Sequence, residues 1–121
     1  MHAMLMLAAA AQLAASQAPA PPVHTIDLVN FAYRPAPIRL AAGRPVTLQF
    51  VNRAGKGHDF TAAKFFRSAR ILSGRVEGGA VDLRGGQSAR VTLIPAAGRY
   101  TVHCGRFGHK MLGMRAAIIA E

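Results

Sequence analysis

Three side chains near the end of this chain have types and spacing suited to binding a soft metal. Cys104, the only cysteine, is followed five positions later by His109, and Met114 comes five positions after that. A thiolate, an imidazole and a thioether from one short loop suit copper. Soft sulfur binds Cu(I), imidazole suits Cu(II), and a trigonal set of two histidines and a cysteine with a weak axial methionine makes a blue-copper electron-transfer centre. That set needs a second imidazole from elsewhere. His58, just past the loop formed by Ala54, Gly55, Lys56 and Gly57, is the best candidate.

The rival donors are few. His103 neighbours Cys104 on what reads as a strand, so its side chain points to the opposite face. His24 has no other ligand-like residue near it in the sequence. Met111 and Met114 are the only methionines beyond the first residues, and both lie within five positions of His109. Met114 is the preferred axial donor, because Leu112 and Gly113 let the loop turn before a final strand. Met111 remains the alternative, since spacing alone does not fix geometry.

The elements that must hold these groups read as short strands between turn residues. Residues 24–31 form a first strand, which Pro35 and Pro37 then interrupt as an edge or bend. Residues 38–40 are a short strand, and Gly43, Arg44 and Pro45 turn the chain. Residues 46–52 alternate, with Val46, Leu48 and Phe50 inward and Thr47 and Gln49 outward, the period of a half-buried strand. Residues 61–72 change period. Phe65, Ala69 and Leu72 recur at helical spacing opposite Lys64, Arg67 and Arg70, which predicts one short amphipathic helix capped by Asp59 or Thr61. Residues 74–86 are glycine-rich, with Val81 and Leu83 in a short strand. Residues 89–93, 99–104 and 116–120 are further strands. Many short strands with turn signals between them indicate an all-β sandwich or barrel.

Length and composition bound the rest. The 121 residues allow one domain, and a single cysteine excludes an internal disulfide. Residues 1–18 are an uncharged apolar run, shorter than the about 20 apolar residues of a membrane-spanning helix. Small residues at 14–18 offer a processing site, and Pro19, Pro21 and Pro22 make a stiff linker. The expected organisation is a cleaved secretory leader at 1–18, a linker at 19–22 and one domain at 23–121. That places the protein in the periplasm or outside the cell, or at a membrane if the leader is retained. The net charge of +10 lies wholly beyond residue 22. Such a field attracts acidic proteins or an anionic membrane surface. The basic residues form no run and match no nucleic-acid motif, so no nucleic-acid partner is expected. The five acids form no paired cluster, no hydrolase motif appears, and an enzyme is not expected.

The two ligand segments carry a specific resemblance. Tyr100, Cys104, His109 and Met114, with the earlier Asn52, His58 and Asp59, resemble the plastocyanin/azurin family of cupredoxins, and the match runs over residues 23–121. The pairs Gly108–His109 and Gly113–Met114 resemble members whose loop is Cys-x4-His-x4-Met. The resemblance implies a Greek-key β-sandwich with one copper near one end, and the chain is expected to be a monomer. It also implies His58, Cys104 and His109 as ligands, Met114 axial, and Asp59 tying the two ligand loops together. Asp59 stands where many members have Asn, and Phe107 where many have Pro. The implied function is an exported carrier of single electrons between redox partners. The alternative is a copper-handling protein, a chaperone, scavenger or resistance factor, using the same donors.

Overall fold

The computed structural model describes residues 19–106, 108–109 and 112–121. The leader expected at 1–18, Phe107 and Met111 therefore lie outside the described residues. Ten strands and one helix follow in order: β1 (Val23–Val29), β2 (Ala32–Arg34), β3 (Ile38–Leu40), β4 (Val46–Asn52), β5 (His58–Thr61), α1 (Ala63–Ser68), β6 (Arg70–Ser73), β7 (Ala80–Leu83), β8 (Ser88–Ile94), β9 (Gly98–His103) and β10 (Arg115–Ala120).

The strands form two sheets, ordered β2-β1-β4-β8-β6 and β3-β10-β9-β5-β7. β1 lies parallel to β4 and β3 parallel to β10, while the other pairs are antiparallel. Parallel neighbours cannot be joined by a hairpin, so the chain crosses between sheets, as a sandwich of Greek-key type requires. One crossing falls at residues 35–37, where two prolines lack the N–H that a sheet would need. Alternation then builds the core. Ile26, Leu28, Leu48, Phe50, Val91 and Leu93 of the first sheet face Phe60, Leu83, Val102 and Ile118 of the second, all essentially free of solvent.

Three local expectations are corrected. The first strand stops at Val29. Asn30 and Phe31 make a two-residue turn, and β2 folds back so that Leu28 opposes Tyr33. The helix spans only residues 63–68, with Ala62 at its N-cap and no side chain capping it. Asp59 and Thr61 belong instead to β5, where the Thr61 hydroxyl donates to Asp59 Oδ1 at 2.6 Å. Residues 70–72, read as the end of that helix, belong instead to β6. Ile71 there opposes Leu93 of β8, so pairing with a strand distant in sequence overrides the local helical period. Leu72, assigned to an inward helical stripe, is 47 % exposed.

The helix earns its place through two consecutive phenylalanines. Phe65 packs edge-on against Tyr100 and Phe66, and Phe66 against Phe60. This aromatic group packs against Phe60 of β5 and Tyr100 of β9, the strands beside His58 and Cys104.

Candidate metal centre

His58 opens β5 and is fully buried, and Cys104 directly follows β9 and is 1 % exposed. His109 and Met114 lie in the connection from β9 to β10. Donors from two loops thus meet at one end of the sandwich. Nδ1 of His58 is 3.2 Å from Nδ1 of His109, and Nδ1 of His109 is 3.4 Å from the Cys104 sulfur. His58, Cys104 and His109 form a group whose ligand atoms lie within 4.8 Å of one another.

That spacing fits one ion. Two nitrogens about 2.0–2.1 Å from a common metal at tetrahedral angles sit about 3.3 Å apart. The protonation pattern agrees. Nε2 of His58 lies 2.8 Å from the side-chain oxygen of Asn30, an atom that only accepts, so Nε2 carries the proton. Nδ1 is left with a free lone pair that faces the second imidazole. At this distance it can be shared with a cation held by both rings, or accept a proton carried by His109 Nδ1. Burial pushes the His58 pKa below its ordinary value, and the His109, Lys56 and Arg106 charges push it further down, against an opposing pull from Asp59. Holding this imidazole neutral keeps it available as a ligand.

The loop that delivers His58 is held by Asn52, a fully buried amide at the end of β4. Its nitrogen donates to the carbonyls of Lys56, Leu83 and Arg84 at 3.0–3.1 Å, and its oxygen accepts from the Ala54 N–H at 3.0 Å. Every polar atom of the side chain is paired, as a buried amide requires. Arg106 crosses the same loop and reaches Asp82 at 2.9 Å. A Cβ on Gly57 would lie 2.6 Å from the Arg106 guanidinium, so a larger residue there would push that flexible side chain aside.

Asp59 joins the two ligand loops. Its carboxylate accepts from the Gly105 N–H at 2.8 Å, its own N–H points at the Cys104 sulfur at 3.4 Å, and its carbonyl accepts from Tyr33 at 2.6 Å. The tie that the resemblance implied for this residue is therefore present. An N–H directed at sulfur stabilises the thiolate that a metal requires.

The second loop closes on its own backbone. The N–H groups of Leu112 and Met114 both reach the His109 carbonyl at 3.1 Å, and the Cys104 N–H reaches the Met114 carbonyl at 3.1 Å. Gly108 and Gly113 take φ of 80° and 93°, a left-handed conformation natural to glycine, which lets eleven residues return to pair Arg115 with His103. Met114 is fully buried.

The two rival histidines are not brought in. His24 pairs with Leu48 near the start of β4, at the other end of the sandwich, and His103 lies opposite Thr61 and Arg115 within its sheet. Sequence reasoning missed Asn30 and Phe31. The Phe31 ring sits edge-on to both imidazoles, with centroids 5.1 Å from His109 and 6.1 Å from His58, and Lys56 Nζ lies 5.4 Å from its centre. No spacing signal marks them, because a turn between two strands brings them over a site that begins 28 residues later.

Known proteins extend this geometry. A family model described as a cupredoxin-like domain matches residues 1–120. No curated protein matches the chain. Among solved structures, auracyanin B is similar at 22 % identity and a TM-score of 0.61, over 87 % of this chain and 93 % of that one. Auracyanin A, a "blue" copper protein from Chloroflexus aurantiacus, is similar at 18 % identity and a TM-score of 0.61, over 84 % of this chain and all of the other. A multicopper oxidase from Campylobacter jejuni is similar at 12 % identity and a TM-score of 0.65, but this chain spans only 31 % of that larger protein. At these identities the likeness is one of fold, and small copper proteins and oxidases share it.

Proposed function

The chain belongs to the cupredoxin-like family, and on that premise we propose that it is an exported mononuclear blue copper protein carrying single electrons between redox partners. His58 and His109 would hold copper through Nδ1 and Cys104 through sulfur, and the buried Met114 would supply the thioether. Copper at this position supplies one-electron chemistry, since imidazole and thiolate together suit both of its common oxidation states.

One observation carries the reading: two Nδ1 atoms 3.2 Å apart and a sulfur 3.4 Å from one of them, on loops tied together by Asp59. The chain's own part is to keep these donors still. Asn30 fixes the orientation of His58, Asn52 fixes its loop, and the backbone bonds between Cys104, His109 and Met114 fix the other. A rigid, preorganised donor set changes little when the charge at its centre changes, and electron transfer needs that. Cys104, His58 and Met114 are shut away from water, whereas His109 is only half-buried. Its ring edge is the natural route to the surface, beside Leu112, which is 61 % exposed.

Lys56 and Arg106 flank this end, and the whole chain carries +10. Such a field favours partners with acidic surfaces and speeds their approach at low salt. The apolar run at 1–18 and the proline-rich stretch after it support export. The burial of Cys104 and Met114 supports retention of the metal over the exchange that a copper-handling protein needs.

The deciding experiment reduces and reoxidises the copper-loaded protein repeatedly in the presence of a Cu(I) chelator. Retained copper and full recovery of the oxidised form are expected of a carrier. Transfer of copper to the chelator at the first reduction would reassign the protein to copper handling.

A further inference from the structure

The end of the sandwich remote from the metal has a character of its own. The register places it. β6 opposes β8 at Arg70–Ile94 and Ile71–Leu93, β8 opposes β4 at Leu93–Val46, and β1 starts with Val23 opposite Thr47. All of these lie at the start of β4, about 20 Å along the strand from Asn52 and the metal loops. The described residues include four large apolar side chains that are exposed. Leu112 sits beside His109, but Val23 (49 %), Ile71 (38 %) and Leu72 (47 %) all belong to the remote end.

Cations surround those three. Arg39 and Arg44 line one cleft with Val23 and His24. Arg67 lines a second groove, of about 410 Å³, whose apolar wall is Phe66, Ile71 and Val76. Arg70 leads into Ile71. The acids there are few: Glu121 faces Arg39 at 3.7 Å, and Glu77 faces Arg75 at 3.2 Å. Asp59 and Asp82 are instead engaged in the metal loops, with Gly105 and Arg106.

We propose that this end of the sandwich is a base that docks on an anionic lipid bilayer, with the metal end turned to the aqueous side. Apolar tips ringed by long cationic side chains suit the boundary between headgroups and acyl chains, where arginine stems lie along apolar matter and their heads meet phosphate. The tips stand on separate strands, β1 and β6, with β4 and β8 between them, so a fluid surface can receive them all without a shaped partner. The β6 edge is also a poor template for adding a strand from another protein. It has four residues, and its register breaks between Ile71 and Ser73. This docking needs no metal and does not depend on the proposed electron transfer.

The chain has no tryptophan, so one can be introduced as a reporter. The full chain is prepared as Leu72→Trp and, separately, as Leu112→Trp. Each is mixed with phosphatidylcholine vesicles with and without phosphatidylglycerol. The expected result is a blue-shifted emission, shielded from acrylamide, for Leu72→Trp on the anionic vesicles alone, with Leu112→Trp unchanged. Replacing Arg44 and Arg70 by Gln in the Leu72→Trp chain should weaken this binding by about fivefold for each arginine at low salt. Vesicle binding without shielding at position 72, equal shielding at both positions, or no effect of the two arginines would overturn the proposal. Shielding by polyglutamate but not by vesicles would place an acidic protein at this end and overturn it equally.

Discussion

The side-chain oxygen of Asn30 lies 2.8 Å from Nε2 of His58. This contact joins the turn between β1 and β2 to the first donor and sets which nitrogen of the imidazole is free. Asn30→Ala removes the acceptor without touching any donor. Loss of such a supporting hydrogen bond costs about 10–100-fold in metal affinity. Competitive titration with a chelator measures it. Unchanged affinity would mean that packing alone orients His58.

Asp59 holds Gly105 and Thr61 through one carboxylate oxygen. Hydrogen bonds to a charged group contribute about 1.5–3 kcal/mol each. Because this carboxylate is partly exposed, Asp59→Ala should destabilise the metal-free protein by about 2 kcal/mol in all. Asp59→Asn keeps an acceptor and should cost less than half as much. Thermal unfolding of both variants tests the order, since each 1 kcal/mol moves Tm by about 4–8 °C in a domain this small. Equal losses would show that the charge, and not the acceptor, matters.

The metal-free protein should lose stability on acidification. His58 and His24 both have pKa values lowered from 6.5, in each case first by burial. The unfolded chain then binds more protons than the folded one, so stability rises with pH through this window. The contribution is complete above pH 6.5 and is lost as pH falls toward the depressed folded values. Denaturant unfolding of the metal-free wild type and of His58→Leu between pH 7.5 and about 5 reads it out. The variant should show a shallower slope.

Much of the sandwich was legible from the chain alone. The alternation of Val46, Leu48 and Phe50 marked β4 to the residue, and Cys104 and His109 were visible because they share one short loop, with His58 supplied from a second. What stayed hidden depends on contacts distant in sequence. β6 looked helical because its pairing partner lies more than 20 residues away, at Leu93 and Ile94. Asp59 looked like a helix cap because its side chain suits one. In the fold that carboxylate is already bound to Gly105, 46 residues further on. Asn30 and Phe31 looked like the tail of a strand, and only the return of β2 shows that they sit over the imidazoles. Local pattern reports which face a residue takes, whereas the second ring of contacts around a site is set by which loops the topology stacks together.

On the proposed function, Cys104 with His58 and His109 holds copper as a thiolate complex. The most direct measurement is the visible and EPR spectrum of the purified protein after Cu(II) addition, with Cys104→Ser as control. An intense thiolate-to-copper absorption and a small copper hyperfine splitting are expected, both abolished in the variant. A weak tetragonal Cu(II) spectrum that is the same in wild type and variant would contradict the proposal.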